Sequence, residues 1–358
     1  MYILLGVNKV MLKIGFDMNK KLLFFLCTIM FFSYASEYIY DVLGQPFPCA
    51  LDIFTTQNQR MYQEDRLTCC NIHQKGWLFG AMDGHSGDEV VEYVLQQLPH
   101  KFAQGLSNSL TEKQSFERAF AETEEDVLIK GFTSGSTALF VYITQDRVVH
   151  VAHAGDSRAV FGNKNGVVFA TQDQTVYRDD ERERVIQAGG IVYRDKSVNE
   201  KIEELWPWRI NRLNMSRSIG DPCAKGKLPN IPVRTIPALR MRKTDEGKDV
   251  LVCLEQWPDI LLENGMEFNP QIGQVIAEPE YTQRSLTDKD RWLIIATDGL
   301  WDRIKNEEAV KMVQDYYDEG GCLKGVAHYL GKCAIKKGSV DNIAVFVIDL
   351  LHVSNEKI

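Results

Sequence analysis

Three features of the chain point to an α+β fold whose antiparallel strands are covered on both faces. Residues 138–144, 147–153, 158–162 and 167–171 are short strand candidates divided by the turns Gln145-Asp146, Ala154-Gly155-Asp156-Ser157 and Asn163-Lys164-Asn165-Gly166, the pattern of an antiparallel meander. Several of these strands are apolar at successive rather than alternate positions, as a sheet buried on each side requires. Helical periodicity brackets them, with two candidate helices before residue 130 and two after residue 305.

In chain order, residues 38–51 read as a lead-in. No repeat, low-complexity tract or clear linker follows, which predicts one domain over about 45–352. A strand over 77–82 runs out into the acidic, glycine-rich turn Asp83-Gly84-His85-Ser86-Gly87. A helix over 88–98 comes next, with Val91, Val94, Leu95 and Leu98 on one face before Pro99. Thr111 and Gln114 form a capping box for a longer helix whose apolar face holds Phe116, Ala119, Phe120 and Val127. Beyond the meander, 180–188 reads as a helix closed by Gly189-Gly190, and 191–193 and 210–218 as strands. Residues 222–274, rich in proline and carrying Arg240-Met241-Arg242-Lys243, read as an irregular surface insertion, the kind of segment that tends to be functional or mobile. Order returns with a strand over 292–297, helices over 306–317 and 323–336, and a last strand over 343–350.

With 44% hydrophobic and 25% charged residues the chain has ample apolar material for a core. A net charge of -8 argues against nucleic acid, which would want a basic face. Met18-Asn19-Lys20-Lys21, the uncharged run 22–32 and the small residues Ser33 and Ala35 are the parts of a secretory signal peptide. Residues 1–36 are therefore expected to be a signal peptide cut near Ala35, or an uncleaved signal anchor, with Met18 as an alternative start. The expected location is the secretory pathway, the extracellular space or a vesicle lumen; the alternative is attachment to a membrane by the retained segment. The run is short of the about 20 apolar residues a comfortable span needs. The eight cysteines form neither a disulfide framework nor a zinc spacing. The sequon Asn214-Met215-Ser216 falls in the strand expected over 210–218, which argues against its use.

The chemistry lies in the acids. Asp83 and Asp298 each follow a strand, Asp341 precedes one, and Glu64 stands in the segment before 77–82. Acids at strand ends can converge on one sheet edge, at a cost of several kcal/mol unless a cation lies between them. Oxygen ligands without Cys or His select Mg²⁺ or Mn²⁺ over zinc. Two such ions about 3.5–4 Å apart can deprotonate a bridging water and clamp a phosphoryl oxygen. Taken singly, each residue has an ordinary reading. The aspartates would be turn or cap residues, Glu64, Asp65 and Arg60 solvated surface, and His85 a hydrogen-bonded loop histidine. Only the joint arrangement points to a site.

At these residues the chain resembles the metal-dependent serine/threonine protein phosphatases of type 2C, the PPM family. The resemblance runs in order from about residue 60 to 350. It includes Arg60-x3-Glu64-Asp65, Met82-Asp83-Gly84-His85-Ser86-Gly87, Ser134-Gly135-Ser136-Thr137-Ala138 and Ala154-Gly155-Asp156-Ser157-Arg158-Ala159. It continues with 183–190, Met215-Ser216-Arg217-Ser218-Ile219-Gly220-Asp221, Ala296-Thr297-Asp298-Gly299-Leu300-Trp301-Asp302 and Ser339-x-Asp341-Asn342. The resemblance implies a β-sandwich of two antiparallel sheets flanked by helices, in α-β-β-α order, with two Mg²⁺ or Mn²⁺ ions per subunit at one end. It implies that Asp83 bridges both ions, that the Gly84 carbonyl binds the first, and that Glu64, Asp298 and Asp341 serve the second, directly or through water. Asp156 and Asp302, with Asp298, match a weaker third position. Arg60 would bind the substrate phosphate, as a guanidinium fork suits. His85 would protonate the leaving Ser or Thr oxygen, since an imidazole exchanges protons near neutrality. The implied reaction is direct attack of a metal-bridging hydroxide on phosphoserine or phosphothreonine, by a monomer acting on phosphoproteins. Two alternatives stand beside it: a pseudophosphatase that serves as a binding module, and a hydrolase of non-protein phosphate esters. Departures from the family pattern are Ser86 for a glycine, harmless if its backbone angles are ordinary, Gln174 where an Asp-His pair is common, and longer insertions at 196–208 and 222–274.

Overall fold

The structure is a computed structural model that describes residues 51–72, 75–188, 207–210, 213–222, 224–225, 275–320 and 322–352, together with strands at 39–41, 192–194, 239–243, 249–253 and 260–261. The leader expected over 1–36, with its alternative start, lies outside the described residues, as do Gly189-Gly190 and most of the 196–208 insertion.

Two sheets form the centre. One runs in the order Ile39–Asp41, Asp65–Asn71, Gly76–His85, Ala138–Thr144, Val148–Ala154, Glu280–Ser285, and every pairing except the first is antiparallel. The other is antiparallel throughout, in the order Leu51–Thr56, Ile343–Asp349, Trp292–Ala296, Arg158–Asn163, Gly166–Ala170. The two-residue side-chain period of a strand explains how they stack. Trp77, Phe79 and Ala81 point into a core shared with Leu293, Ile295, Ala344, Phe346 and Ile348 of the other sheet. Their neighbours Leu78 and Met82 point the opposite way, against Val91, Leu95, Phe102, Phe116 and Phe120 of helices Glu89–Ser107 and Glu112–Ile129. On the far side Trp292, Ile294, Val345 and Val347 pack on Val310, Val313, Val326 and Leu330 of helices Asn306–Gly320 and Val326–Lys336. The layers are thus helix, sheet, sheet, helix, and the α+β sandwich expected from the resemblance is present.

Several elements differ from expectation. The 138–171 strands do not form one meander: the first two belong to one sheet and the last two to the other, and the chain crosses between sheets at Gly155-Asp156-Ser157. Gly155 makes the crossing with φ at 114°. The helix after residue 88 does not stop at Pro99 but continues to Ser107. Proline removes one helical hydrogen bond, yet Phe102 extends the buried stripe beyond it and stacks on Phe116 with ring centroids 4.1 Å apart. The capping box at Thr111 and Gln114 is formed in both directions. Among the described residues of 210–218, Ile210 ends the short strand Trp208–Ile210, Leu213, Met215 and Arg217 make only isolated bridges, to Ile210, Thr175 and Ile276, and Asn214 is half-buried. Within 222–274, read as irregular, Leu239–Lys243, Asp249–Cys253 and Ile260–Leu261 pair as a small antiparallel sheet. Among the described residues no helix is long and apolar enough to cross a membrane.

Candidate functional site

The central strand carries the site further than its apolar pattern suggested. It runs through Asp83 and Gly84 to His85, because Asp65 pairs with Asp83 on one side while Gly84 and His85 pair with Ser136 and Gly135 on the other. Asp83 is therefore held on a sheet and not in a flexible turn. Only after His85 does the backbone turn sharply, with Ser86 at φ 62° and Gly87 at φ 127°. The Ser86 angle is in the left-handed region that a non-glycine residue enters at a cost, so the condition under which its replacement of glycine would be harmless does not hold. Glu64 braces this turn. Its Oε1 accepts from the Gly87 amide at 2.9 Å, and its carbonyl accepts from the Gly84 amide at 3.2 Å.

Three chain segments deliver carboxylates to one point. Asp83 comes from the central strand, Asp156 from the crossing between the sheets, and Asp298 from the start of a short helix, Asp298–Trp301, where a turn was expected. One carboxylate oxygen of each lies within 4.8 Å of the others. Asp156 is buried, whereas Asp83 and Asp298 keep an edge open to solvent. Burial and then mutual repulsion raise all three. Asp83 is pushed well above its ordinary range by burial, then by Asp298, Asp65, Asp156 and Asp341. Asp156 is raised by burial and then by Asp298 and Asp173. Asp298 is pushed up to about 7 by burial, Asp302 and Asp341, against a hydrogen bond to Asp83 and the pull of Arg60. Asp302 is raised by burial and the negative charge of Asp341.

The rim holds the remaining candidates. Asp341 is ion-paired to Arg60 and caps the Asn342 amide through Oδ1 at 2.8 Å. Asn342 locks this loop to the Glu64 segment, accepting from the Glu64 amide at 2.9 Å and donating to the carbonyls of Gln57 and Tyr62. Gly299 has no side chain because the Asn342 carbonyl occupies that space, which lets Asp298 come close to the Asp341 loop. The Arg60 side chain is 54% exposed, so its fork is available to a ligand above the acids. His85 points its Nε2 at Asp221, 2.8 Å from both carboxylate oxygens, while its Nδ1 is buried without a partner. Burial pushes the Asp221 carboxyl up, but His85, Ser218 and Lys225 outweigh it and hold the pKa below the usual carboxylate range.

A model of the family described as Protein phosphatase 2C matches residues 50–343. The chain belongs to the protein phosphatase 2C family. It is 30% identical over 290 residues to probable protein phosphatase 2C 69 of Arabidopsis thaliana, an alignment covering 77% of this chain and 62% of that one. It is 25% identical over 284 residues to probable protein phosphatase 2C 32 of Oryza sativa subsp. japonica, covering 77% and 58%. With protein phosphatase 1L of Bos taurus it shares 27% identity over 316 residues, covering 83% and 71%. The chain thus spans between about half and two-thirds of the length of its first three curated relatives. The fold matches that of a serine-threonine phosphatase 2C from Toxoplasma gondii with a TM-score of 0.56, at 20% identity and covering 85% of this chain and 96% of that one. It also matches a C. elegans sex determining protein with a TM-score of 0.62, at 18% identity and covering 86% and 66%.

Of the residues singled out in this protein phosphatase 2C chain, Asp83, Asp156 and Asp298 meet. Asp341 and Asp302 contribute charge beside them, Arg60 acts on them electrostatically, His85 stands two positions past Asp83 on the same strand with its ring on Asp221, and Glu64 and Gly84 form the floor of the turn. Sequence reasoning missed three partners. Asp65 is only 1% exposed, accepts from Thr297 Oγ1 at 2.7 Å and is raised well above its ordinary range by burial. It opens the apolar run Leu67-Thr68-Cys69-Cys70, a signal that the residue stands at a strand start and not on open surface. Asn214 donates to Asp156 Oδ2 at 2.9 Å, and Asp221 holds His85; nothing local in the sequence assigns either role.

Proposed function

We propose that this protein is a phosphatase of phosphoserine and phosphothreonine in proteins that works with Mg²⁺ or Mn²⁺ held by Asp83, Asp298 and Asp156. Asp341, Asp302, Glu64 and the Gly84 carbonyl complete the surroundings. The observation that carries this reading is the convergence of three carboxylates, all raised by burial and by neighbouring acids despite the nearby charges of Arg60 and Arg158. A second feature supports it: Asp156 Oδ1 is buried without a hydrogen-bond partner, a cost that a metal ligand recovers on binding. An all-oxygen set selects hard divalent ions. When bound, such ions supply a nucleophile at neutral pH and neutralise phosphoryl charge.

The chain's own groups do the rest. Arg60 grips the phosphate with a planar fork, its approach limited by the tether to Asp341. His85 delivers a proton to the departing alkoxide, the part of the reaction an unassisted Ser or Thr oxygen performs poorly. Asp65 and Thr297 fix the base of the acid cluster through their hydrogen bond. Residues 1–36, read as a signal peptide or signal anchor, favour a secretory-pathway location for this activity, with membrane attachment as the alternative.

The test is hydrolysis of phosphoserine and phosphothreonine peptides by the purified chain with Mn²⁺, with Mg²⁺ and with chelator. Turnover that needs either ion and falls to background in chelator is expected. Equal turnover in chelator would refute the metal-dependent reading. Hydrolysis of small phosphate esters with none of peptides would move the substrate to the non-protein class.

A further inference from the structure

We propose that Met61, Tyr62 and Val340 form a substrate-selecting rim beside Arg60, one that favours phosphoprotein segments with an apolar side chain one to three positions from the phosphoresidue. The proposal rests on the phosphatase reading above and adds to it the class of sequence that is bound.

Two loops carry the rim. Residues 57–62 follow the strand Leu51–Thr56, and residues 339–342 precede its partner strand Ile343–Asp349. The loops are bolted together along their length. Asn58 Nδ2 donates to the Ser339 carbonyl at 2.7 Å, and Asn342 Nδ2 donates to the carbonyls of Gln57 and Tyr62 at 2.9 and 3.0 Å. Arg60 is ion-paired to Asp341 between them. The first loop is also closed on itself: the Arg60 amide donates to the Gln57 carbonyl at 3.2 Å, and Gln57 Nε2 donates to the Arg60 carbonyl at 2.8 Å. Backbone groups and polar side chains thus fix the shape of both loops. The apolar side chains are left in solvent: Met61 is 82% exposed, Tyr62 69% and Val340 50%.

A single exposed apolar residue is ordinary, and only a group of them calls for a partner. Met61 and Tyr62 follow Arg60 directly, Val340 precedes Asp341, and Arg60 and Asp341 are paired, so the three stand around the guanidinium that grips the phosphate. Arg60 also feels the charges of Asp83 and Asp298, which sets the rim at the mouth of the acid cluster. Three such side chains offer on the order of a few hundred Å², well short of the about 800 Å² per partner that a stable protein interface takes. That area suits a few residues of an extended segment and not a second copy of the chain. An extended chain advances about 3.3–3.6 Å per residue, so a phosphoresidue held by Arg60 brings its near neighbours over the rim. A flexible thioether and a phenol ring can pack on apolar side chains of varied shape.

The experiment compares two phosphothreonine peptides with Mn²⁺, identical except for leucine or serine at the second position on each side of the phosphothreonine. The enzymes are the full-length wild type and the triple variant Met61→Ser, Tyr62→Ser, Val340→Ser. Wild type should prefer the leucine peptide in kcat/KM by about 10-fold, the lower end of what apolar contact discriminates, with most of the difference in KM. The variant should prefer it by no more than about twofold, while its kcat/KM on the serine peptide stays within about twofold of wild type. The Mn²⁺-induced rise in melting temperature should be the same in both proteins. A wild type without the leucine preference, a preference that survives in the variant, or equal losses on both peptides would each overturn the proposal. Should the triple variant not fold, Met61→Ser, the most exposed of the three, carries the test: it should lower the preference by about twofold or more, and an unchanged ratio overturns the proposal. Wild type that hydrolyses neither peptide refutes the phosphatase reading and the rim with it. Turnover of both peptides at equal kcat/KM overturns the rim alone and leaves the phosphatase reading standing.

Discussion

Replacing Asp298 by asparagine should stabilise the chelated protein while abolishing its turnover. In the fold Asp298 titrates at about 7, raised by burial and by Asp302 and Asp341 from its ordinary 3.8. The folded state thus holds this proton more tightly than the unfolded chain does. Stability from the protonated form is fully present below about pH 4 and is lost as pH rises towards about 7, where the carboxyl ionises in the fold. At 1.36 kcal/mol per pH unit the complete loss is about 4 kcal/mol. Asparagine removes the charge but keeps an imperfect hydrogen bond to Asp83, so about half, roughly 2 kcal/mol, should be recovered. For a domain of this size that raises Tm by about 3 °C. The assay is a thermal melt of wild type and Asp298→Asn in chelator at pH 5 and pH 8, repeated with Mn²⁺. The variant should melt higher at pH 8, with little difference at pH 5. Mn²⁺ at about 100 times its Kd should add about 2.7 kcal/mol to wild type and little to the variant. A variant that melts at or below wild type at pH 8 in chelator, or gains as much at pH 5, would refute the repulsion argument.

Three further outcomes are expected. Gly135→Ala should cut phosphopeptide turnover at least tenfold with a smaller effect on Tm, because its Cβ enters the space between His85 and Asp221; wild-type turnover with this variant would show that the pair can be parted without consequence. Arg60→Lys keeps the charge beside Asp341 but loses the planar fork, so KM for phosphopeptide should rise about tenfold while metal-induced stabilisation is kept; steady-state kinetics beside a Mn²⁺ melt would check both. Thr111→Ala removes the capping box of helix Glu112–Ile129 and should cost about 1 kcal/mol in urea unfolding without changing kcat.

Much of the fold was readable in the chain because its strongest signals are local. Continuous apolar runs at 77–82 and 292–296, the Thr111–Gln114 box and helical stripes such as Phe116–Phe120 all report on neighbours a few residues apart. What escaped was set by distant partners. The strand Leu51–Thr56 is half-buried along its length and has a place only because it pairs with Ile343–Asp349. Pro99 looks like a stop until Phe102 finds Phe116. The division of 138–171 between two sheets depends on Gly155 turning the chain, which reads like any other turn glycine. The site divides in the same way. Asp83 and Asp298 stand out as acids closing apolar runs, and their meeting with Asp156 is what the sandwich adds. Asp65 hid beside a glutamate, and Asp221 holds a histidine 136 positions away.

The hydrogen bond from Asn214 to Asp156 bears on how the chain can be modified. Asn214 opens the only sequon noted in the sequence, and a sugar would be joined to the same Nδ2 that donates to Asp156 Oδ2. Oligosaccharide transfer therefore competes with closure of the acid cluster: a glycan would take one of the two hydrogens of the nitrogen that holds Asp156 and would have to leave through the open side of a half-buried residue.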